Sequence, residues 1–200
     1  MKKHQDSKDA DHSILQRLKT ATASQHSQVE RRFKILDPHL SLDQYIDWLA
    51  RLYGYYEPFE RMIEPWSSEI AINWSGRCKT PLLIRDLARL GVTEERITSL
   101  PICHSLPVLT NIGSLFGALY VFEGSTLGGR FIANHLANIL KLDAENGMGF
   151  FLPYGFDPKP QWLAFQSRLC EVAASDFHEN QILLAAKETF DSFDAWLAGF

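Results

Sequence analysis

Apolar residues recur at helical spacing along almost the whole chain, and clear alternating strand patterns are missing. Caps, prolines and glycines set the ends of the predicted helices, which cover about residues 13–33, 41–63, 81–91, 108–140, 159–174 and 176–197. A short turn capped by Thr93 lies between the third and fourth of them. The pattern predicts an all-α, single-domain bundle of about seven helices.

Two features interrupt this helical pattern. Pro58 falls inside the second predicted helix, where a proline is expected to kink or break the backbone. The stretch "FEGSTLGG", residues 122–129, places three glycines inside the fourth predicted helix. Each of them weakens a helix interior by roughly 1 kcal/mol relative to Ala.

The glycines of the fourth predicted helix include two pairs at a spacing of four residues. Close helix packing accounts for Gly113 and Gly117, because small residues let two backbones approach each other. It accounts less well for Gly124, Gly128 and Gly129, whose neighbours Ser and Thr are also poor helix formers. We expect a kink or local unwinding there, and a bare surface on which a flat ligand can lie against the main chain.

Composition narrows the class of protein without defining its chemistry. The 200 residues, 46% of them hydrophobic, can build one sizeable core, and the net charge of -4 argues against nucleic-acid binding. No apolar run reaches transmembrane length, and the polar residues 1–12 predict a disordered tail ahead of one domain over residues 13–200. The tail has no secretory signal, and three widely spaced cysteines indicate neither a disulfide framework nor a zinc site, so we expect a cytoplasmic protein.

His26 lies on the apolar stripe of the first predicted helix, after Leu18 and Thr22 and therefore facing inward. Glu30 follows His26 by one turn, and Lys19 precedes His26 by two turns on nearly the same face. Spacing alone favours an interior histidine with two charged surface neighbours. The alternative is a metal or cofactor ligand whose tautomer Glu30 fixes, with Lys19 meeting an anionic group at the pocket mouth.

His135 is the competing axial ligand, since it lies four residues after Phe131 on the apolar stripe of the fourth predicted helix. Its spacing favours helix packing instead. A neutral imidazole from His26 on one wall and a bare glycine helix on the other suit a planar macrocycle held between two helices. Heme has that shape, and it needs an axial ligand, an apolar slot and cations near its propionates.

Three segments of the chain resemble the heme oxygenase family. The segment "LKTATASQHSQVE", residues 18–30, resembles its proximal-helix signature of Leu-Lys, Ala-Thr, the ligating His and a Glu four residues on. "YVFEGSTLGG", residues 120–129, resembles the distal helix of bacterial members that supply biliverdin to bacteriophytochromes, and "AAKETFDSFDAWL", residues 185–197, resembles their closing helix. The three segments occur in the expected order, and the resemblance covers most of the chain after residue 13.

The resemblance implies a role for each residue that matches the proximal signature. His26 would be the proximal iron ligand, Glu30 its hydrogen-bonding partner and Lys19 a lysine that binds a heme propionate. Arg168, on the fifth predicted helix, would be a second propionate contact.

The resemblance also implies which distal residues lie over the heme. Gly124 and Gly128 match the distal glycines, with Gly129 beside them. Animal-type members carry an Asp directly after the first distal glycine, where it orders water, and Ser125 stands at that place here. We therefore place Ser125 with the glycines among the catalytic positions, without giving it the role of the aspartate.

The implied fold is a helical bundle with heme between a proximal helix and a kinked distal helix, and the implied function is heme cleavage. Heme b (iron protoporphyrin IX) would be both cofactor and substrate, and oxygen with electrons from a ferredoxin or a reductase would convert it to biliverdin, CO and ferrous iron. The distal likeness further implies cleavage at the α-meso carbon and supply of biliverdin to a bacteriophytochrome. No nucleic-acid or membrane partner is expected.

Other functions remain open on sequence grounds. A heme carrier or sensor without turnover would need the same pocket. A thiaminase-like hydrolase would need a well-placed cysteine, and a di-iron protein would need paired Glu-x-x-His motifs, of which the chain has none. A non-catalytic interaction domain would leave the spacing of Lys19, His26 and Glu30 to chance.

Overall fold

The protein is described by a computed structural model over residues 14–199. Nearly all regular structure in that range is helical, as predicted, apart from short 3-10 turns and the four-residue strand Pro153–Phe156. The helices are α1 (14–21), α2 (Ala23–Arg32), α3 (Leu42–Ile63), α4 (Ser67–Ile70), α5 (Thr80–Arg89), α6 (Glu94–Thr98), α7 (Ile112–Leu140), α8 (Lys159–Val172) and α9 (Asp176–Ala198).

Capping side chains set the starts of the two longest internal helices. Ser41 accepts a hydrogen bond from the N–H of Gln44 at 3.2 Å, and the side chain of Gln44 accepts one from the N–H of Ser41 at 2.8 Å. Asn111 and Ser114 form the same reciprocal pair at the start of α7. The fourth predicted helix therefore begins directly after Asn111 and not near residue 108.

The predicted break at Pro58 is wrong, because α3 continues through it to Ile63. A proline has no N–H, so Pro58 leaves the carbonyl oxygen of Gly54 without its partner inside the helix. The backbone N–H of Cys103, from the loop before α7, donates to that oxygen at 2.7 Å. A distant segment thus satisfies the acceptor that the proline leaves open.

The first predicted helix is divided at one residue. Thr22, with φ -108° and ψ 2°, separates α1 from α2. Its N–H still donates to the carbonyl of Leu18 at 3.0 Å, and the N–H of His26 donates to the carbonyl of Thr22 at 2.9 Å. The two segments therefore follow one another closely. The residue type of Ser13 predicts a cap at the start of the first helix, but Ser13 lies outside the described residues.

Aromatic rings fill the space between α3 and α7. The rings of Phe59 and Phe122 are stacked, with centroids 3.5 Å apart and planes 6° apart. Tyr55 stacks on Phe122 at 5.9 Å, and Tyr56 meets the same ring edge-on at 4.6 Å. Because Phe122 directly precedes Glu123 and Gly124, this layer anchors α7 at the start of its glycine segment.

Helix α9 runs in the same direction as the consecutive helices α1 and α2, and α7 is parallel to it as well. Arg17 on α1 pairs with Glu179 near the start of α9, and Arg32 at the end of α2 pairs with Asp194 near its end, both at 2.6 Å. The hydrogen bond from Arg32 holds the pKa of Asp194 below its usual value. These two contacts fix α2 along one side of α9.

Helix α7 packs on another side of α9 through bare backbone, as predicted for its first glycine pair. A Cβ at Gly113 would lie 2.8 Å from the carbonyl oxygen of His178. A Cβ at Gly117 would lie against the carbonyl oxygen of Ile182 and 2.9 Å from the Cβ of Ala185. The close approach of the two helices therefore requires glycine.

This packing predicts opposite effects for two alanine substitutions in the same helix. Gly117→Ala should lower the free energy of unfolding by about 1–3 kcal/mol, because its Cβ overlaps α9. Gly128→Ala should raise it by up to about 1 kcal/mol, since a Cβ there meets no atom within 4 Å and Ala is the better helix former. Urea unfolding of the heme-free protein measures both. Equal shifts of the same sign would contradict the packing described for α7.

Candidate functional site

His26 and Glu30 form the contact that their spacing predicts. The Nδ1 atom of His26 lies 3.4 Å from Oε2 of Glu30, which leaves Nε2 as the nitrogen available to a ligand. The inward placement of His26 is wrong, because its side chain is 58% exposed and α2 buries no residue. Its ring meets only the edge of Phe190 on α9, at 5.7 Å between centroids. The stripe of α2 therefore faces a gap and not a packed core.

Two contacts connect α7 with the residues that flank α2. Burial raises the pKa of Tyr120 on α7, and the nearby side chain of Thr22 opposes the rise. Fifteen residues later on both segments, the Nε2 atom of His135 lies 3.2 Å from the carbonyl oxygen of Asp37. His26 lies one turn after Thr22, and Gly124 lies one turn after Tyr120, so helical spacing places both beside the space between these two contacts. We call this space, bordered by α2, α7 and Phe190 of α9, the cleft.

His135 and His26 differ in what their Nε2 atoms contact. Its Nε2 atom faces the Asp37 carbonyl at 3.2 Å, as expected for a histidine that packs one helix against a neighbouring segment. His26 keeps Nε2 free of such a contact among the described residues, and it lies within the cleft. The geometry therefore favours His26 as the ligand.

Gly124 and Gly128 leave their side of the cleft bare. A Cβ at Gly128 would meet no atom within 4 Å, and one at Gly124 would meet only Trp162, at 3.9 Å. Helix α7 runs through both without interruption from Ile112 to Leu140, so the local unwinding that composition allows is absent there. The expected kink stays a prediction.

Gly129 follows Gly128 directly but does not share this bare surface, so its expected part in heme binding stays a prediction. It is buried, and a Cβ there would lie against the carbonyl oxygen of Phe151 in the turn before the strand. Its neighbour is a backbone more than twenty residues further on, so helical position alone could not distinguish it from Gly128. Gly129 serves the packing of α7, while Gly128 faces open space.

Exposed apolar side chains flank the bare surface. Leu127 is 44% exposed and Phe131 is 68% exposed, and both lie on the same side of α7 as Gly128. Neither of the two pockets described on the surface, of about 340 and 370 Å³, is lined by His26 or Gly128. The cleft is thus an open apolar slot, which an apolar ligand would cover.

Ser125 is exposed at the edge of the cleft and belongs to a short chain of hydroxyl groups. Its hydroxyl donates to the carbonyl of Phe122 at 2.7 Å. Because that proton is used, the hydroxyl of Tyr56, 3.3 Å away, is the donor to Ser125. Burial raises the pKa of Tyr56, so its hydroxyl keeps its proton at neutral pH. The sequence did not single out Tyr56, since three tyrosines lie close together in "YGYY" and spacing does not show which hydroxyl is bonded to α7.

Lys19 and Arg168, the two residues expected to contact the heme propionates, differ in whether they already have ionic partners. Lys19 is exposed on α1, two turns before His26, and forms no ion pair with any described residue. Arg168 is already engaged: its guanidinium pairs with Glu171 at 2.7 Å and donates to the carbonyl of Glu69 on α4 at 3.5 Å. Arg168 therefore connects α8 to α4 and is not presented to the cleft as a free cation.

Residues 14–199 contain neither a candidate membrane span, nor a cluster of metal-ligating side chains, nor a disulfide. No helix in that range is long and apolar enough to cross a membrane. No group of three or more His, Cys, Asp or Glu side chains there could hold a metal ion. All three cysteines are free thiols, and burial raises the pKa of Cys78 to about 11.

The residues of the cleft fit heme. One wall offers a single imidazole nitrogen whose partner nitrogen is held by a carboxylate, as is common for metal-binding histidines. The opposite wall is main chain with no side chain over it at Gly128. Apolar side chains lie beside Gly128, and an exposed lysine lies on α1, the helix directly before the one that carries the imidazole.

Comparison with known proteins supports this assignment over nearly the whole chain. The model of the heme oxygenase family matches residues 12–199. A heme oxygenase of Xanthomonas campestris pv. campestris is 28% identical over 161 residues, which cover 80% of this chain and 92% of that protein.

Solved structures show the same fold. Heme oxygenase from Leptospira interrogans superposes with a TM-score of 0.76 at 18% identity, covering 94% of this chain and 100% of that one. The NO- and CO-bound heme oxygenase from Neisseria meningitidis gives 0.76 at 21% identity, covering 93% and 90%. Heme oxygenase-1 of the cyanobacterium Synechocystis, in complex with heme, gives 0.71 at 15% identity, covering 93% and 91%. The chain therefore belongs to the heme oxygenase family, a class of enzymes.

Proposed function

We propose that this protein binds heme b in the cleft and, with oxygen and electrons, cleaves it to biliverdin, CO and ferrous iron. One observation carries the proposal: His26 is exposed and held by Glu30, and helix α7, which is linked to the segment after α2 by His135, is bare main chain at Gly124 and Gly128. Heme is the substrate, and when bound it supplies both the iron that activates oxygen and the ring that is oxidised.

His26 would bind the heme iron through Nε2. Its Nδ1–H would donate to the carboxylate of Glu30, which fixes the tautomer and increases the basicity of the ligand nitrogen. The edge of Phe190 limits rotation of the ring. Lys19, exposed on α1, would pair with a propionate. Gly129 and Arg168 have no part in this proposal, because both are engaged elsewhere.

Gly124 and Gly128 would leave room for oxygen between the heme and α7. Any side chain at Gly128 would project into space that holds no protein atom within 4 Å. The bare backbone also brings peptide groups close to the ligand without an acidic or basic side chain beside it. Such a surface would admit water in place of a strong proton donor.

The hydroxyl pair of Tyr56 and Ser125 would hold a water molecule at the edge of the cleft. Tyr56 donates to Ser125, which donates to a main-chain carbonyl, so the remaining lone pair on the Ser125 oxygen can accept a bond from water. Ser125 would thus hold a water molecule through a neutral group. This arrangement differs from a carboxylate, which would hold the same water with a negative charge.

The product would serve a bacteriophytochrome, and a ferredoxin or a reductase would deliver the electrons. Support comes from the sequence of the distal segment, residues 120–129, which resembles that of members with this role. The same likeness favours cleavage at the α-meso carbon. Chromatography of the product identifies the biliverdin isomer, and a mixture without the α isomer would contradict this part of the proposal.

Replacing the ligand tests the assignment of His26. His26→Ala should lose the spectrum of histidine-bound hemin and form no detectable biliverdin, and added imidazole should restore the spectrum by filling the vacated place. His135→Gln is the matched control, because it removes the imidazole while its amide can still donate to the carbonyl of Asp37. Absorbance titration with hemin measures both. A normal spectrum for His26→Ala, or its loss in His135→Gln, would make His26 the wrong ligand.

Filling the bare surface tests the role of the glycines. Gly128→Leu should reduce biliverdin formation by at least about a hundredfold, since the side chain takes the place that oxygen needs. The heme-free protein should stay folded, because the position is open. Asn134→Leu, which places the same side chain at another exposed position on α7, is the control for added surface hydrophobicity. Turnover of Gly128→Leu at the wild-type rate would refute this use of the glycines.

Removing the hydroxyl of Ser125 tests whether this group holds the water molecule. Ser125→Ala should slow biliverdin formation about ten- to a hundredfold with little change in hemin affinity, because it removes the group that holds water. Thr126→Ala removes a buried hydroxyl that makes a similar bond to the carbonyl of Glu123, and it should keep the wild-type rate. Steady-state kinetics separate the two. Equal rates for both variants would show that Ser125 does not order the water.

A further inference from the structure

A cluster of four buried charges lies behind the glycine surface of α7. Arg77, Lys79, Glu60 and Glu123 are 4%, 3%, 8% and 1% exposed. Their formal charges balance, with two cations and two anions. The free energy that is lost when charges are buried is often as large as the free energy that ion pairing contributes. Such a cluster is therefore weak evidence for a gain in stability. It needs another explanation, and its position beside Gly124 suggests one.

Glu123 connects α7 to segments outside that helix. Arg77 donates to its Oε2 atom, and the Nζ atom of Lys79 lies 3.6 Å from Oε1. The hydroxyl of Tyr154, on the strand, donates to the same carboxylate at 3.4 Å. Three groups from the chain around α5 and from the strand thus converge on the residue directly before Gly124.

The same arginine also holds helix α8 at the point where it approaches Gly124. The Nη2 atom of Arg77 donates to the carbonyl oxygen of Gln161 on α8 at 3.1 Å and lies 3.3 Å from its side-chain oxygen. The next residue, Trp162, provides the atom closest to a Cβ at Gly124, at 3.9 Å. One guanidinium therefore fixes both α7 and α8 where they meet the cleft.

Lys79 is held from its other side. Glu60 on α3 accepts the backbone N–H of Lys79 at 2.5 Å and that of Thr80 at 3.2 Å. Burial raises the pKa of Glu60, and these hydrogen bonds oppose the rise. The segment that carries Arg77 and Lys79 is thereby fastened to α3, so it presents a fixed pair of cations to Glu123.

An apolar contact resists rotation of a helix only weakly, whereas a bidentate or convergent ionic contact has one acceptable geometry. Each residue of a helix advances about 100° around its axis, so a rotation of α7 by part of that angle would turn Gly128 away from the cleft. It would also bring the side chain of Leu127 or Ser125 closer to the ligand. Glu123 is placed to prevent this.

We propose that Glu123 is a positioning residue: its contacts with Arg77 and Lys79 set the rotation of α7 so that Gly124 and Gly128 face the heme. This inference rests on the proposed function. Glu123 itself touches neither the cleft surface nor the ligand, and it acts through the orientation of the backbone that follows it.

Three variants separate positioning from stability. Glu123→Gln leaves two buried cations facing one anion, and it should lose both stability and activity. Arg77→Gln with Glu123→Gln leaves one cation and one anion, so stability should return while positioning does not. Asp86→Asn is the matched control, because this fully buried carboxylate accepts the N–H of Phe150 at 2.7 Å and makes no ion pair with α7.

Two measurements complement thermal unfolding of the heme-free variants. The proton NMR spectrum of the hemin–cyanide complex reports how the distal ligand is tilted over the ring, and product chromatography reports which meso carbon is cleaved. We expect the double variant to unfold near the wild-type temperature, with shifted heme methyl resonances and a roughly tenfold lower rate or an altered isomer ratio. Asp86→Asn should unfold at a lower temperature with unchanged NMR resonances and isomer ratio.

Wild-type resonances and isomers in both Glu123 variants would overturn the inference, as would the same changes in Asp86→Asn. If Glu123→Gln does not fold, the double variant still decides. Failure of the wild-type protein to bind hemin or form biliverdin would instead contradict the proposed function, so the two failures are distinguishable.

Discussion

Helices α2 and α7 are joined at both ends and kept apart between them, and the function depends on that separation. Thr22 and Tyr120 meet at one end, and Asp37 and His135 meet at the other. Helix α9 contacts both helices and prevents them from closing on each other. The result is a slot with an imidazole on one side and the exposed apolar side chains of Leu127 and Phe131 on the other.

The glycines of α7 divide by what lies opposite them. Gly113, Gly117 and Gly129 are required because another backbone approaches closely, and they contribute to folding. Gly124 and Gly128 have space before them and weaken the helix without any return in packing. A helix that accepts this loss of stability at a cleft is typical of a site selected for function.

The sequence predicted what depends on near neighbours. Helix ends followed from caps such as Ser41 and Thr93, and the contact of Glu30 with His26 followed from a spacing of four. The same reasoning failed where a distant segment decides the outcome. Cys103 satisfies the carbonyl that Pro58 leaves open, Phe151 faces Gly129, and Glu69 with Glu171 engages Arg168.

The sequence patterns did not predict the buried polar groups. Glu123, Arg77 and Tyr56 lie in stretches whose residue types predict nothing unusual, because their partners lie on other helices. Exposure was also misjudged. His26 falls on an apolar stripe, and in soluble proteins such stripes usually face the core. Here the stripe faces a slot that is open to a ligand, so the periodicity was correct and the burial was not.

The crystal structure of the protein with hemin tests the central claim most directly. We expect the iron to be bound by Nε2 of His26, with the main chain at Gly124 and Gly128 facing the opposite side of the ring and no side chain between them. Iron bound by a different residue, or heme seated outside the slot between α2 and α7, would contradict it.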